Sequence, residues 1–162
     1  MIIETERRFV VDVNVGRLAK WLRVMGYDTL FPREAGDNEL VRIAIKEGRV
    51  LVTRDGGIAR RRAVRLGQMR LVRIEDDDLR SQLRQVVRDL QLDLNSGFSR
   101  CVRCNQVLNA IAKNDVAERL PPYVLQTQYQ FMECAECSRL YWRVTHWSNM
   151  VAELEQVYGE MA

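Results

Sequence analysis

Short apolar runs alternate with amphipathic stretches through the first 92 residues, and this alternation limits the fold more than any other feature of the sequence. Short continuous apolar runs predict strands that are buried on both faces. Apolar residues at spacings of three and four predict helices between these strands. The predicted strands are 8–13, 27–31, 49–53 and 69–74, and the predicted helices are 15–25, 37–48, 58–66 and 79–92. Repeated strand–helix–strand units predict an α/β fold with a parallel sheet flanked by helices.

The pattern changes after Leu94, where the turn-rich stretch 95–99 predicts a domain boundary. We therefore predict one domain at 1–94 and a smaller one at 95–162. The second part contains all four cysteines, a Pro121-Pro122 break and a tail over 148–161 that we expect to be helical. A chain of 162 residues has room for both units, because single domains commonly have roughly 100–150 residues.

The composition is that of a globular protein, with 47% hydrophobic and 29% charged residues. No apolar run approaches the roughly 20 residues that a membrane-spanning helix needs. The N-terminal residues carry acids where a signal peptide has an apolar core. We therefore expect a cytoplasmic protein with no membrane partner.

Positive charge is concentrated in one segment. Residues 54–73 contain seven arginines and the single acid Asp55, whereas the net charge of the whole chain is only +3. Four of these arginines lie on the predicted helix 58–66, and they are Arg60, Arg61, Arg62 and Arg65. Arginine side chains match phosphate oxygens and hold nucleic acid without reading its sequence. An ordinary solvated helix face has the same composition, so both interpretations stay open.

Acidic residues follow three of the predicted strands. Asp12 ends the first, Asp55 follows the third, and an acidic run from Glu75 to Asp78 follows the fourth. The carboxyl ends of parallel strands meet at one edge of a sheet, and Asp37 starts a helix on the same side. Crowded carboxylates predict a divalent cation such as Mg²⁺ or Mn²⁺. Any one of these acids taken alone is explained as a helix cap or turn residue. Asp12 is the exception, because a carboxylate that ends a buried strand is costly without a partner.

The cysteines form two CxxC pairs that are separated by 29 residues, and they are Cys101, Cys104, Cys134 and Cys137. Two such tight turns supply the four thiolates of a closed tetrahedral zinc site, which is structural because no ligand position stays open for water. Disulfides are the alternative, but reducing compartments disfavour them. We therefore predict a structural Zn²⁺.

Aromatic and basic residues follow the second CxxC pair, namely Arg139, Tyr141, Trp142, Arg143, His146 and Trp147. This mixture is typical of surfaces that stack bases and hold phosphates. It is equally typical of the miniature core that a small zinc domain needs, and we favour that interpretation. His146 is the sole histidine, and no partner residue assigns it a catalytic role.

Four segments carry a family resemblance: FVVD at 9–12, LAKWLRVMGYDT at 18–29, DNEL at 37–40 and VLVTRD at 50–55. On these segments, residues 8–93 resemble the Mut7-C RNase domain, a PIN-like ribonuclease domain that its family pairs with a C-terminal zinc ribbon. The resemblance implies a PIN-like sheet and metal-dependent cleavage of RNA. Asn14-Val15 stands where the family has a Met-Leu pair, a difference that concerns packing more than metal ligands.

The resemblance also implies a set of catalytic Mg²⁺ or Mn²⁺ ligands. The positions that match the family's acidic motif are Asp12, Asp37 and Asp55. The fourth acid lies among Asp76, Asp77 and Asp78, of which we take Asp77.

The leading hypothesis is therefore a metal-dependent ribonuclease whose zinc ribbon helps to position RNA. A non-catalytic RNA-binding or ribosome-associated adaptor with the same fold is the alternative. An aspartate-nucleophile phosphatase is disfavoured, because Asp12-Val13-Asn14 lacks the second acid of a D-x-D arrangement.

Overall fold

The structure is a computed structural model that describes residues 7–94, 97, 99–143, 148–149, 151–152 and 154–156. Among the candidates from the sequence, His146 and Trp147 lie outside the described residues. Parts of the predicted boundary at 95–99 and of the predicted helix at 148–161 lie outside them as well.

Four parallel strands form the sheet of the first part, in the order β2-β1-β3-β4. The strands are β1 (Phe9–Val11), β2 (Thr29–Leu30), β3 (Val50–Thr53) and β4 (Leu71–Arg73). They lie where the apolar runs predict them but are shorter at their ends. After β1, for example, the carboxylate of Asp12 accepts a hydrogen bond from the Val13 amide and turns the chain into a short 3₁₀ helix, Val13–Val15. The parallel α/β class is confirmed.

Helices cover both faces of this sheet. They are α1 (Arg17–Val24), α2 (Asp37–Glu47), α3 (Gly56–Ala59), α4 (Arg62–Arg65) and α5 (Leu79–Leu90). Successive strand residues point to opposite faces, so Phe9 and Val11 pack in one core with residues of α1 and α5. Val10 packs in the other core, where Leu40 of α2 lies.

The predicted helix 58–66 is wrong in one respect, because the structure divides it into α3 and α4. Arg61 is extended, with φ −64° and ψ 149°, and separates the two. Ile58, Ala63 and Val64 all pack into the core beside α2. Ala63 and Val64 follow Ile58 by five and six residues. In one continuous helix with about 3.6 residues per turn, they would point to different faces from Ile58. The break therefore lets all three side chains reach the same core.

The second part contains a three-stranded antiparallel sheet of β5 (Asn109–Ile111), β6 (Phe131–Glu133) and β7 (Leu140–Tyr141). Two short helices, α6 (Lys113–Val116) and α7 (Pro122–Thr127), lie in the segment between the cysteine pairs. Pro122 is the first residue of α7, a position where its missing N–H is not needed.

Leu154 links the chain's C-terminal region to the first part. It is 3% exposed and packs in the core formed by β1, α1 and α5. A residue of the predicted second domain therefore completes the core of the first, and the division at residue 94 stays a prediction. Within the described ranges, no helix has the length and apolar character needed to cross a membrane.

Candidate active site and zinc centre

Asp12 lies at the carboxyl end of β1 and is only 7% exposed. Its Oδ1 accepts a hydrogen bond from the Val13 amide at 2.8 Å. Its Oδ2 accepts a hydrogen bond from the Thr53 hydroxyl at 2.7 Å. The parallel register of β1 and β3 places Thr53 beside Asp12. Hydrogen-bond donors therefore hold both carboxylate oxygens in place. They are the partners that a carboxylate at the end of a buried strand needs.

Asp55 is tied to the same hydroxyl. Its backbone N–H donates to Thr53 Oγ1 at 3.0 Å, and its carboxylate accepts from the Gly57 amide at 2.7 Å as the N-cap of α3. Thr53 thus bridges Asp12 and Asp55 at one edge of the sheet. No sequence pattern indicated Thr53, because only the register between β1 and β3 sets it opposite Asp12.

Asp37 is exposed in the first turn of α2, which follows β2. The neighbouring Asn38 side chain accepts a hydrogen bond from Arg61 at 2.6 Å. This contact brings the start of α2 beside the α3–α4 linker. The N-cap of α2 is Gly36, so Asp37 does not serve as the cap that the sequence allowed.

Asp77 and Asp78, in the acidic run before α5, have different roles. Asp78 is the N-cap of α5 and accepts a hydrogen bond from the Ser81 amide at 3.0 Å. Hydrogen bonds from Ser81 hold the pKa of Asp78 below its usual value. Asp77 has a side chain that is 88% exposed and forms an ion pair with Arg54. Asp77 therefore faces the loop that carries Asp55.

The four cysteines are gathered more tightly than these acids. Across the described residues, they form the one group of three or more Cys, His, Asp or Glu ligands whose atoms lie within 4.8 Å of one another. The Sγ atoms of Cys101 and Cys137 are 3.7 Å apart. A tetrahedral Zn–S distance of about 2.3 Å gives an edge of about 3.8 Å, whereas a disulfide needs about 2.05 Å. The arrangement fits zinc, and all four thiols are free.

Both CxxC pairs have the same backbone turn. Asn105 and Ser138 directly follow the pairs and adopt left-handed conformations, with φ 64° and φ 60°. The amide of Asn105 donates to Cys101 O at 2.9 Å, and that of Ser138 donates to Cys134 O at 2.8 Å. Matching turns place each pair of thiols on the same side of its turn, which is what a shared cation requires.

Tyr141 supports this cluster from β7. Its hydroxyl lies 3.1 Å from Cys101 Sγ and accepts a hydrogen bond from the Val102 amide at 3.1 Å. Burial raises the pKa of Cys101, but hydrogen bonds from Tyr141 and from backbone amides outweigh it and lower the pKa to about 7. Burial instead raises the pKa of Cys104 and of Cys134, so the four thiols do not ionise together until a cation binds them. Trp142 and Phe131 pack in the adjacent miniature core, as the structural interpretation of these aromatics predicts.

The model of the family described as Mut7-C RNAse domain matches residues 7–154 of the chain. The chain belongs to this family. Searches of the curated proteins and of the solved structures found no match. The Mut7-C match spans both the parallel sheet and the cysteine cluster. Membership indicates an RNase-like role and RNA as the class of substrate.

A cleft of about 570 Å³ opens beside the acidic edge of this Mut7-C chain. Its lining includes Val13 and Asn14, which directly follow Asp12. Three arginines also line it, and they are Arg17, Arg33 and Arg54. None of the four arginines selected from the sequence, at 60, 61, 62 and 65, is among its lining residues. Arg17 and Arg33 are distant from the basic segment in sequence, so no local pattern indicated them.

Proposed function

We propose that this Mut7-C chain is a metal-dependent ribonuclease that hydrolyses RNA phosphodiester bonds at the carboxyl edge of its parallel sheet. Asp12, Asp37 and Asp55 would hold Mg²⁺ or Mn²⁺, with Asp77 as a fourth ligand. When bound, the cation supplies an activated water and neutralises charge on the phosphate.

The observation that carries this proposal is the bridge from Asp12 through the Thr53 hydroxyl to Asp55. The two donors fix the Asp12 carboxylate at the edge of the sheet where Asp55 lies. A carboxylate held in a fixed position is the kind of ligand that a hard cation prefers.

The other acids support the same proposal less directly. Among the described residues, no three of these carboxylates come within 4.8 Å of one another, so a Mg²⁺ ion would reach some of them through the waters that it keeps. Asp77 is highly exposed, so its side chain has room to exchange Arg54 for a cation. Carboxylate oxygens are the donors that Mg²⁺ and Mn²⁺ prefer, and this donor chemistry supports the proposed metal.

The zinc unit has a structural and positioning role in this proposal. Four thiolates leave no position for a reacting water. Arg139 and Arg143 are exposed on this unit and would contact RNA phosphates, as would the arginines at 60–62 and 65 on the first unit. The four free thiols suit a reducing compartment, so we place the protein in the cytoplasm.

Cleavage of a mixed pool of structured and single-stranded RNA tests the proposal. Wild-type protein is assayed with Mn²⁺, with Mg²⁺ or with EDTA, and its zinc content is measured after each incubation. Asp12→Asn and Asp55→Asn are expected to abolish metal-dependent cleavage. Asp115→Asn is the matched control, because Asp115 is exposed on α6 in the other unit.

Two results would contradict the ribonuclease proposal. One is cleavage that persists in both active-site variants, which would indicate a contaminating nuclease. The other is wild-type protein that binds RNA but cuts it with neither metal. The second result favours the adaptor function, in which the ion pair between Asp77 and Arg54 is a permanent feature of the edge.

A further inference from the structure

The cleft beside the acidic edge carries a positive charge that the catalytic proposal does not use. Arg17, Arg33 and Arg54 line it with Asp77 as their one acidic neighbour in the lining. Asp77 pairs with Arg54, and no ion pair to a carboxylate forms at Arg17 or Arg33 within the described part of the chain. Two exposed guanidinium groups are thus left to bind an anion.

The start of α1 forms part of the same wall. Gly16 and Arg17 line the cleft, and the first turn of α1 contains no acidic residue. The 3₁₀ helix Val13–Val15 runs directly into α1 and is capped by the Asp12 carboxylate, so the positive charge of this wall comes from the guanidinium groups. Phosphate is an anion that guanidinium groups bind.

An aromatic residue lies in the same wall. The ring of Phe31 packs so closely on Gly16 that a Cβ at position 16 would collide with it. The Arg33 guanidinium lies 5.2 Å from the centre of the Phe31 ring. Glycine at position 16 therefore allows the ring to rest against the start of α1, with Arg33 held above it. Aromatic rings and guanidinium planes are the groups on which unpaired RNA bases stack.

We infer that this cleft is a subsite for one nucleotide of single-stranded RNA. The base stacks on the Phe31–Arg33 pair, and Arg17 binds the adjoining phosphate. The cleft volume of about 570 Å³ falls in the range of roughly 300–1,000 Å³ that is usual for ligand sites. A base in a duplex is already stacked on its neighbours, so the subsite selects single strands.

The position of the cleft connects this subsite to the proposed chemistry. Val13 and Asn14 form part of its wall and directly follow Asp12. Asn14 also accepts a hydrogen bond from the Arg54 amide at 3.3 Å, which joins the wall to the loop of Asp55. The inference rests on the proposed function for its substrate class, and it places the bound nucleotide next to the scissile phosphate.

Binding without cleavage tests this inference separately from the ribonuclease proposal. A short fluorescent single-stranded RNA is titrated with full-length protein by anisotropy, without added Mg²⁺ or Mn²⁺, and a gel confirms that the RNA stays intact. Arg17→Ala, Arg33→Ala and Phe31→Leu are compared with Arg84→Ala, which removes the same charge from an exposed position on α5. Phe31→Leu keeps an apolar side chain at a partly buried position.

We expect Arg33→Ala and Phe31→Leu to weaken binding by about fivefold or more, because the stacking of a base contributes about that factor or more. Arg17→Ala should also reduce the dependence of log Kd on log salt by roughly 0.7, the value for one phosphate contact with a single strand. With an RNA whose bound nucleotide is abasic, Phe31→Leu should no longer weaken binding, whereas Arg17→Ala should weaken it as before.

The inference is overturned if the Arg17 and Arg33 variants bind as tightly as Arg84→Ala. It is also overturned if a duplex of the same sequence binds as tightly as the single strand. Failure of the ribonuclease proposal has a different signature, because RNA would then bind in the cleft as described and never be cut.

Discussion

The side-chain amide of Asn105 donates a hydrogen bond to Asp28 Oδ1 at 2.8 Å. Asn105 follows the first CxxC pair, and Asp28 precedes β2 of the parallel sheet. The side-chain oxygen Oδ1 of Asn105 also accepts a hydrogen bond from the Thr29 amide at 2.9 Å. On the other side, Arg49 donates to the same Asp28 oxygen at 2.8 Å from a side chain that is 5% exposed. The turn that shapes the zinc site is thus hydrogen-bonded to the edge of the sheet.

Replacing Asn105 should measure this connection. Asn105→Gly keeps the left-handed backbone, because glycine adopts positive φ without strain, but it removes both side-chain hydrogen bonds. We expect the free energy of unfolding to fall by about 2–4 kcal/mol, since a neutral bond contributes about 1 and a bond to a charge about 1.5–3. Denaturant unfolding of the zinc-loaded protein checks the value.

Ser138→Gly is the matched control for that change, because Ser138 has the equivalent left-handed position after the second CxxC pair. We expect it to change the free energy of unfolding by less than about 1 kcal/mol. If Asn105→Gly and Ser138→Gly reduced the free energy of unfolding equally, the loss would come from the turn and not from the contact to Asp28.

The charge of Asp28 predicts a specific pH dependence. Burial raises the pKa of Asp28, but hydrogen bonds from Arg49 and Asn105 outweigh it and hold the pKa below the usual value. A lowered carboxyl pKa adds stability that is fully present above the unfolded pKa of about 3.9 and is lost as the pH falls through the folded pKa. Wild type should therefore exceed Asp28→Asn in stability at pH 6, and the difference should shrink as the pH falls below about 4.

Wild type and Asp28→Asn must contain the same amount of zinc when their stabilities are compared, because acid also releases zinc from thiolates. Both proteins are therefore unfolded at each pH with the same measured amount of bound metal. A difference in stability that does not vary between pH 6 and pH 3 would mean that the charge of Asp28 is not what the contact depends on.

Thr53 should matter to activity through its hydroxyl alone. Thr53→Val keeps the shape of a fully buried side chain but removes the donor to Asp12 and the acceptor for the Asp55 amide. We expect the rate of RNA cleavage to fall about tenfold or more, because misplacing catalytic groups is costly. The free energy of unfolding should fall by about 1–3 kcal/mol, since buried polar groups lose their partner.

Thr53→Ser distinguishes positioning from packing. Serine retains the hydroxyl and loses one methyl group, so cleavage should recover to near the wild-type rate even though some stability is lost. If serine and valine reduce cleavage equally, the hydroxyl bridge has no positioning role.

Zinc removal should disturb the second unit directly. We expect elemental analysis to find one zinc per chain, and Cys134→Ser to lose it, because Cys134 is one of two buried ligands of the cluster. Loss of a structural zinc removes folding free energy, since binding and folding of such sites are coupled. Near-ultraviolet circular dichroism should change, because Tyr141 packs on the cysteines. A metal-free protein with unchanged spectrum and unfolding midpoint would contradict a structural zinc.

Several features follow from local sequence. The apolar run Phe9–Val11 forms a strand in the predicted place, because a buried parallel strand needs continuous apolar residues. The cysteine pairs form matching turns, because two thiols at that spacing reach one side of a tight turn. The sequence also predicted that Asp12 and Asp55 lie at the carboxyl ends of their strands. Their role as metal ligands stays a prediction.

Other features depend on residues that are distant in the chain. The register of β1 against β3 places Thr53 beside Asp12, and no local pattern encodes that pairing. The break at Arg61 arises because Ile58 and Val64 must reach one core, which the helical spacing alone did not reveal. In the same way, folding brings Arg17 and Arg33 into one cleft.

The sequence by itself thus determined the four parallel strands, most of the helices between them and the two cysteine turns, because those features depend on the spacing of neighbouring residues; it did not indicate the strands β5 to β7. Only the tertiary structure decided that Asn105 would bind Asp28 and that Leu154 would complete the core of the sheet. Such contacts join residues that are far apart along the chain, and they form only where packing brings complementary donors, acceptors and apolar surfaces together.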